Sequence, residues 1–542
     1  MVANSSKSVN APDDATPHDV TLDLLPGESW WGGKIADGVK MPFTAETNCH
    51  CDLGDPGVDG HGLGLPSNQV APILLSNKGR CVVSADMNVP FDFRFENGNL
   101  KLTGAPVRIL GGEDAGAGLA QARALVAKAS GEPRGLMPAS AMLEHPHYNT
   151  WIEMPVAPTQ EKVLAYVRDL LDGGMPPGLV IIDDNWARNH GELQFDAGRF
   201  PDPRGMCEQL HEWGCRVMLW LVPFISPDSA VFRQLREKGL LLRGADGKVA
   251  IREWWNGFSA LLDLSNPNTL DWVENRLRDL QNEFGVDGFK FDGGDMRDYL
   301  LDDATHAQAS PQTMSLAWAQ LASRFPFNEV RACWAGGGLP LAQRLEDKPP
   351  SWSEYGIGSL IPNMLAQGLA GYPYSCPDMI GGGEICAMSA QQSTDQEFFV
   401  RYAQVAALSP MMQFSVSPRR VLDDKHFGAV MNAIELRQRF TPLILELAQN
   451  AAQTGQPIIR PLAWIDGELG RVQDQFLLGD SVLVAPVIKQ GQRSRTVVLP
   501  GGAEGATWED GNTGTRYEVE PNQSLNVEVD APVEVLPFFI RH

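Results

Sequence analysis

Hydrophobic and polar positions follow three different patterns along the chain. Up to about residue 115, short apolar or alternating runs stand between Gly, Pro and Asp residues: Val70–Leu75, Cys81–Met87, Phe91–Phe95, Leu100–Leu102 and Val107–Leu110. Runs of this kind bounded by turn formers predict the antiparallel strands of a β-sandwich. A linking helix is expected from Leu119 to about Ser130, stopped by Gly131-Glu132-Pro133. Between residues 135 and 447 apolar strand candidates alternate with amphipathic helices. The strands are Gly178–Asp184, Cys215–Phe224, Val286–Asp292, Val330–Trp334 and Gly371–Ser375. In 159–173, Val163, Leu164, Val167, Leu170 and Leu171 fall on one helical face, with Thr159 as N-cap. The next helix has Asp202 as N-cap, Pro203 at its first position and Gly214 just past its end. Further helices are expected near 268–285, 311–324 and 394–408. Apolar strands alternating with helices imply a parallel sheet covered by helices, and this length of chain closes naturally into a (β/α)8 TIM barrel. After a long helix near 427–452 the strands shorten again: Pro457–Trp464, Gln475–Leu478, Ser481–Pro486, Thr496–Leu499 and Val533–Phe539. The expected α/β organisation is an N-terminal β-sandwich with its linking helix over 1–134, the barrel over 135–447, and a small C-terminal β-sandwich over 448–542.

Charge narrows the partners. The 542 residues carry 44 Lys and Arg against 67 Asp and Glu, a net charge of −23. That balance argues against nucleic acid, which needs clustered Lys and Arg. No apolar run reaches the ~20 residues that cross a bilayer, and the first residues lack the apolar core of a secretory leader. A cytoplasmic protein with no membrane partner is expected; the sequence leaves the oligomeric state open. Eight dispersed cysteines do not form a disulfide framework. Cys49-His50-Cys51 has no second cluster to complete a metal site, so it reads as a surface loop or half-buried strand, and no metal or cofactor is expected. No Gly-rich phosphate loop follows the first barrel strand. Fourteen Trp beside eight Tyr is an unusual balance.

In such a barrel the reactive groups stand at the C-terminal ends of the strands. Here those ends carry Asp183-Asp184-Asn185-Trp186, Trp220 with Pro223-Phe224, and Asp292-Gly293-Gly294-Asp295, with Arg331 before Cys333-Trp334. Carboxylates beside Trp suit sugars, whose C–H faces stack on indole while their hydroxyls donate to carboxylates. Strand alternation puts Lys290 and Asp292 on the interior side and Phe289 and Phe291 against the helices. A cation near Asp292 would keep it ionised, as a glycosidic nucleophile must be, and Gly293-Gly294 would leave room for a ring. A structural Lys–Asp pair closing the barrel mouth fits the same spacing. For a second carboxyl, pattern alone offers Asp183, Asp184, Glu346, Asp347, Glu354 and Asp378 without choosing among them.

Several stretches resemble glycoside hydrolase family 31, and most closely its myogenesis-regulating glycosidase branch. They include Asn149-Thr150-Trp151, Ile182-Asp183-Asp184, Trp254-Trp255-Asn256-Gly257, Phe289-Lys290-Phe291-Asp292, Ser359-Leu360-Ile361-Pro362, Gly371-Tyr372-Pro373, Pro377-Asp378-Met379-Ile380-Gly381-Gly382 and Met412-Gln413-Phe414-Ser415. The resemblance implies a retaining α-glycosidase with Asp292 as nucleophile. It places Lys290 and Asp295 near the sugar at the cleavage point. Trp151, Asp183, Asp184, Trp220, Trp255 and Arg331 fall in the substrate pocket. Asp347-Lys348-Pro349-Pro350-Ser351-Trp352 reproduces the family's Asp, Ser, Trp order and makes Asp347 the acid/base, although Glu346 replaces the usual Gly. Counting back from Ile361-Pro362 without a gap favours a residue nearer Glu354, so Glu354 and Asp378 are the fallbacks. Arg331 could instead pair structurally with Asp378, and Asp184 could cap the following turn. Gln413-Phe414-Ser415 replaces a sugar-binding His of the α-glucosidases, which with the branch resemblance favours galactose.

The sequence therefore leads to a retaining exo-α-glycosidase for small or oligosaccharide α-galactosides, working through a covalent glycosyl-enzyme on Asp292. The alternatives are an α-glucosidase or α-transglycosylase on the same site, a sugar-binding protein without turnover, and an aldolase using Lys290 as a Schiff base. Trp30-Trp31 could belong either to the sandwich core or to the pocket rim.

Overall fold

The helices begin where side-chain oxygens can bond the free N–H groups of a first turn. Thr159, Asp202, Ser310, Asp395 and Asp423 each accept such a bond, and the helices they open start at Gln160, Pro203, Pro311, Gln396 and Asp424. The computed structural model describes residues 19–55, 68–112, 118–155, 157–384 and 394–542.

Among these residues eight parallel strand positions form the barrel: His147–Asn149, Leu179–Ile182, Arg216–Leu221, Gly288–Phe291, Asn328–Val330, Gln343–Arg344, a divided seventh, and Gln413–Phe414. The seventh consists of Ser375–Cys376, paired to the sixth, and Met379–Ile380, paired to the eighth. Between the two halves Asp378 adopts a φ of 65°, a left-handed bend. The eighth strand pairs back onto the first, His147 opposite Gln413, and closes the ring. The helix expected near 268–285 runs over Pro267–Phe284, and the last barrel helix over Asp424–Thr454.

Several strand expectations need correction: in the C-terminal domain Pro457–Trp464 is a strand only at Ile459–Arg460, and Val533–Phe539 only from Phe538; two more lie in the barrel. Val330–Trp334 is not one strand: Asn328–Val330 belongs to the barrel, whereas Cys333–Trp334 turns away and pairs in parallel with Gln69–Val70 of the N-terminal domain. Among the described residues no helix stands between the fifth and sixth strands; the connection instead adds Cys333–Trp334 to the N-terminal sheet. Gly371–Ser375 yields a strand only from Ser375, because Gly371 (φ 94°) packs against Arg123 and Glu132.

Two antiparallel sheets form the N-terminal domain, one running Val20–Asp23, Asn99–Thr103, Asp92–Glu96, Cys49–Asp52, the other centred on Gln69–Ser76. Cys49–Asp52 is a half-buried strand, one of the two readings open to it from the sequence. Trp30 is fully buried beneath Arg80, and Trp31 packs on Gly470 of the C-terminal domain, so this pair serves the core and a domain contact. The C-terminal domain combines a six-stranded and a two-stranded antiparallel sheet. Arg401 and Gln404 anchor it to the barrel by donating to the carbonyls of Ala531 (2.7 Å) and Val533 (2.9 Å). The seven described cysteines are free thiols; Cys386 lies outside the described residues. No helix among the described residues is long and apolar enough to cross a membrane.

Candidate active site

The fourth strand sets the centre. Phe289 and Phe291 point outward onto Phe325 and Trp318, which turns Lys290 and Asp292 into the barrel. Lys290 does not pair directly with Asp292 as the spacing implied. Its Nζ donates to Asp183 Oδ2 at 2.7 Å, and both groups are buried. Burial opposes the charge on Lys290, but Asp183 and the other carboxylates prevail and raise its pKa, so it remains an ammonium. A Schiff-base role requires the free amine and is disfavoured by this arrangement.

Asp292 has a different set of partners. Trp220 Nε1 donates to Oδ2 at 2.9 Å, and Arg331 Nε forms an ion pair with Oδ1, also at 2.9 Å. Burial works against ionisation here, yet Arg331, then Lys290 and Arg344, hold the carboxyl well below the usual carboxylate range. Gly293 and Gly294 follow with φ of 61° and 72°. A Cβ on Gly294 would lie 2.5 Å from Trp318 Cδ1. These glycines therefore serve a left-handed turn packed on Trp318, not space for a ring.

Arg331 joins three carboxylates. Besides Asp292 it reaches Asp347 (Nη1 to Oδ2, 3.5 Å) and Asp295 (Nη2 to Oδ2, 4.0 Å), while the Trp255 ring lies 5.1 Å from its guanidinium carbon. Arg331 Nη2 and Asp295 Oδ2 are both buried without a hydrogen-bond partner among the described residues. The other Asp295 oxygen accepts from Asn68, delivered by the N-terminal domain. Arg331 does not pair with Asp378; that place belongs to Arg344. This fully buried arginine bonds Asp378 and Asp347 (2.8 Å) through Nη1 and faces Glu329 at 3.2 Å through Nε.

The candidates for the second carboxyl now separate by exposure. Asp347 has a side chain 28% exposed, touching Arg331 and Arg344. Asp378 is fully buried at the break in the seventh strand. Its oxygens accept from Arg344, Lys348 N (2.8 Å) and Gly383 N (3.0 Å). Burial pushes the Asp378 carboxyl up to about 7 against the pull of Arg344, and at 0% exposure it is closed off from a substrate. Glu354 is exposed in the turn that follows Asp347.

Asp184 does bond the next backbone N–H (Asn185 N, 2.6 Å), and it also accepts from Asn256 Nδ2 at 2.7 Å and contacts His190 Nε2 at 3.0 Å. Asn256 and Trp255 form the tip of the hairpin Ile251–Trp254 and Gly257–Leu261, whose Trp254 stacks on Phe224 (4.3 Å between centroids). Trp151 is half-buried and donates to Gly383 O at 2.9 Å. Gln413 is buried between Glu329 (2.6 Å) and Asn149 (3.1 Å), and Ser415 accepts from Ile152 N, so their polar atoms bond within the barrel wall. Trp334 is a domain contact, bonded to Met87 O.

The fold thus gathers Asp183, Asp184, Trp220, Trp255, Lys290, Asp292, Asp295, Arg331 and Asp347 into one linked network. Sequence reasoning missed Asn68, His190, Asn256 as a ligand of Asp184, and Arg344. Arg344 stands three residues before Asp347, and that spacing was the available signal. Asn68 comes from 227 positions away and gave none. A cavity of about 650 Å³ lies at the opposite end of the barrel, between Pro146, Pro177, Met412 and Pro442, at the N-terminal ends of strands. In this fold chemistry belongs to the C-terminal end.

Comparison with known proteins identifies the family and the fold. Residues 141–447 match the TIM-barrel domain of glycosyl hydrolases family 31, and residues 455–542 match that family's C-terminal domain. The mouse (Mus musculus) myogenesis-regulating glycosidase is 35% identical over 381 residues, covering 68% of this chain and 53% of the relative. A 1,3-alpha-isomaltosidase of Kribbella flavida is 27% identical over 380 residues, 64% of this chain and 50% of that one. The chain thus spans about half the length of these curated relatives. The fold superimposes on a Flavobacterium johnsoniae GH31 dextranase complexed with isomaltotriose with a TM-score of 0.82 at 20% identity, covering 96% of this chain and 66% of the dextranase. The chain belongs to glycoside hydrolase family 31.

Proposed function

We propose that the chain is a retaining, exo-acting α-glycosidase whose substrates are terminal α-galactosides. The observation that carries this reading is Arg331, which holds Asp292 ionised inside the barrel while touching a partly exposed second carboxylate, Asp347. Asp292 attacks the anomeric carbon as the bond to the leaving oxygen breaks, giving a glycosyl ester. Asp347 gives its proton to that oxygen, then takes one from the water that cleaves the ester. The buried Arg331 Nη2 and Asp295 Oδ2, which lack a hydrogen bond and lie 4.0 Å apart, suit a donor and an acceptor for sugar hydroxyls, and the Asp184–Asn256 pair supplies another polar edge. Trp255 offers an indole face beside them. Galactose is favoured by the resemblance to the myogenesis-regulating branch and by Gln413-Phe414-Ser415 in place of a sugar-binding His.

The test is a parallel screen of chromogenic α-galactoside, α-glucoside, α-xyloside and sulfoquinovoside, with NMR of the first-formed anomer. Preferred cleavage of the α-galactoside to an α-anomer is expected. A first product of β configuration would overturn the retaining mechanism, and preference for another sugar would reassign the substrate.

A further inference from the structure

Large apolar side chains are unevenly exposed on this protein. Six of the nine that stand well out of the described surface are Ile251, Trp255, Phe258, Leu300, Leu301 and Tyr355. All six lie on segments that follow the third, fourth and sixth barrel strands, at the end where the carboxylates are. The exposure is substantial: 63% for Phe258, 49% for Leu300 and 89% for Leu301.

Two ties connect this rim to the site. The hairpin tip places Trp255 over Arg331 and bonds Asn256 to Asp184. Arg252, on the same hairpin, is ion-paired with the buried side chain of Asp303, which also accepts from Leu300 N at 2.8 Å. The Leu300–Leu301 turn is therefore braced against the hairpin, and five of the six side chains sit on two linked segments.

Resting on the glycosidase reading above, we infer that this rim binds an apolar leaving group. The substrates would then be amphipathic glycosides, an α-linked sugar on an alkyl or aryl aglycone. The pocket floor is charged and hydrogen-bonding throughout, whereas the rim beside it presents these six apolar side chains, with exposed Glu253, Asp302 and Glu354 between them. A second sugar would leave its hydroxyls without partners along Phe258, Leu300 and Leu301. An anionic membrane surface is opposed by the net charge of −23.

The experiment measures kcat/KM by product release, and Kd by calorimetry, for methyl, hexyl and octyl α-D-galactopyranosides and the matching α-D-glucopyranosides, all below micelle concentration. Wild type is compared with Leu301→Ser and with the triple variant Phe258→Ser, Leu300→Ser, Leu301→Ser, their folding checked by circular dichroism. The octyl-to-methyl ratio should reach about tenfold or more in wild type and fall toward one in the variants, because each buried methylene favours binding. A ratio near one in wild type overturns the inference, as does a ratio that survives in both variants. So does a dimer that the substitutions dissociate without changing the ratio, which would assign the rim to a second copy. Absence of hydrolysis across both series would refute the glycosidase reading alone, since the Kd ratio still reports on the rim.

Discussion

Removing the positive charge of Arg331 should move the acid side of the pH–rate profile. Arg331 Nε lies 2.9 Å from Asp292 Oδ1, and its charge is the largest influence keeping that carboxyl ionised against burial. Two unit charges about 4 Å apart interact by roughly 4 kcal/mol at an effective dielectric near 20. At about 1.4 kcal/mol per pH unit this sets an upper bound of about three units. Lys290, Arg344 and the Trp220 hydrogen bond remain in Arg331→Met, so the expected rise in the Asp292 pKa is about 1–3 units. Asp292 must be ionised to attack, so activity falls as pH drops through its pKa. The acid limb of kcat/KM reports that group in the free enzyme. In wild type the limb should lie at the acid extreme; in Arg331→Met it should move upward by that amount. Overall rate should also fall if Arg331 faces the sugar as proposed, so the readout is the limb's position and not its height. Rates would be measured on a chromogenic α-galactoside from pH 3 to 8, with recovery of activity at neutral pH checked after each acid exposure. Arg331→Lys, which keeps the charge, should return the limb most of the way. An acid limb at the same pH in Arg331→Met and wild type would refute the argument.

Other perturbations test separate parts of the site. Asp292→Ala should lose at least about 10⁴-fold in kcat, and near-normal turnover would remove its nucleophile role. Asp347→Ala should recover turnover with azide, yielding an α-glycosyl azide, whereas Asp378→Ala and Glu354→Ala should not; rescue confined to either of the latter would move the acid/base there. Lys290→Met leaves Asp183 buried without its counter-charge and should destabilise the protein by about 3–5 kcal/mol, seen as a lower denaturant midpoint; an unchanged midpoint would deny that the pair matters. Gly288→Ala would put a Cβ 2.0 Å from Phe327 O, so the fourth strand must shift, at a cost of about 1–3 kcal/mol and with loss of activity. Wild-type melting and turnover in that variant would contradict the packing described.

Periodicity revealed the long elements and left the short ones hidden. Helices such as Gln160–Asp172 and Pro203–Glu212 carry an apolar face and a capping residue within one window, so local sequence marks both their start and their identity. The first, sixth and eighth barrel strands are only two or three residues long, too few to show an alternation, and exist because neighbours on either side pair with them. The site divides the same way. Alternation along one strand was enough to turn Lys290 and Asp292 inward. The direct partner of each was out of reach, since Asp183 and Arg331 arrive from other strands. Asp347 was singled out by resemblance, and its contacts with two arginines follow from a sixth strand too short to recognise.

The pairing of Cys333–Trp334 with Gln69–Val70 has a consequence for how this protein can be dissected. Gln69 donates to the carbonyls of both Arg331 (2.8 Å) and Arg344 (2.7 Å), and Asn68 bonds Asp295. The N-terminal domain is thus part of the scaffold of the candidate site and not a detachable module. Expressing the barrel alone, or exchanging this domain for a relative's, would alter the anchorage of both arginines. Substitutions there can retune the chemistry while every residue of the barrel stays the same.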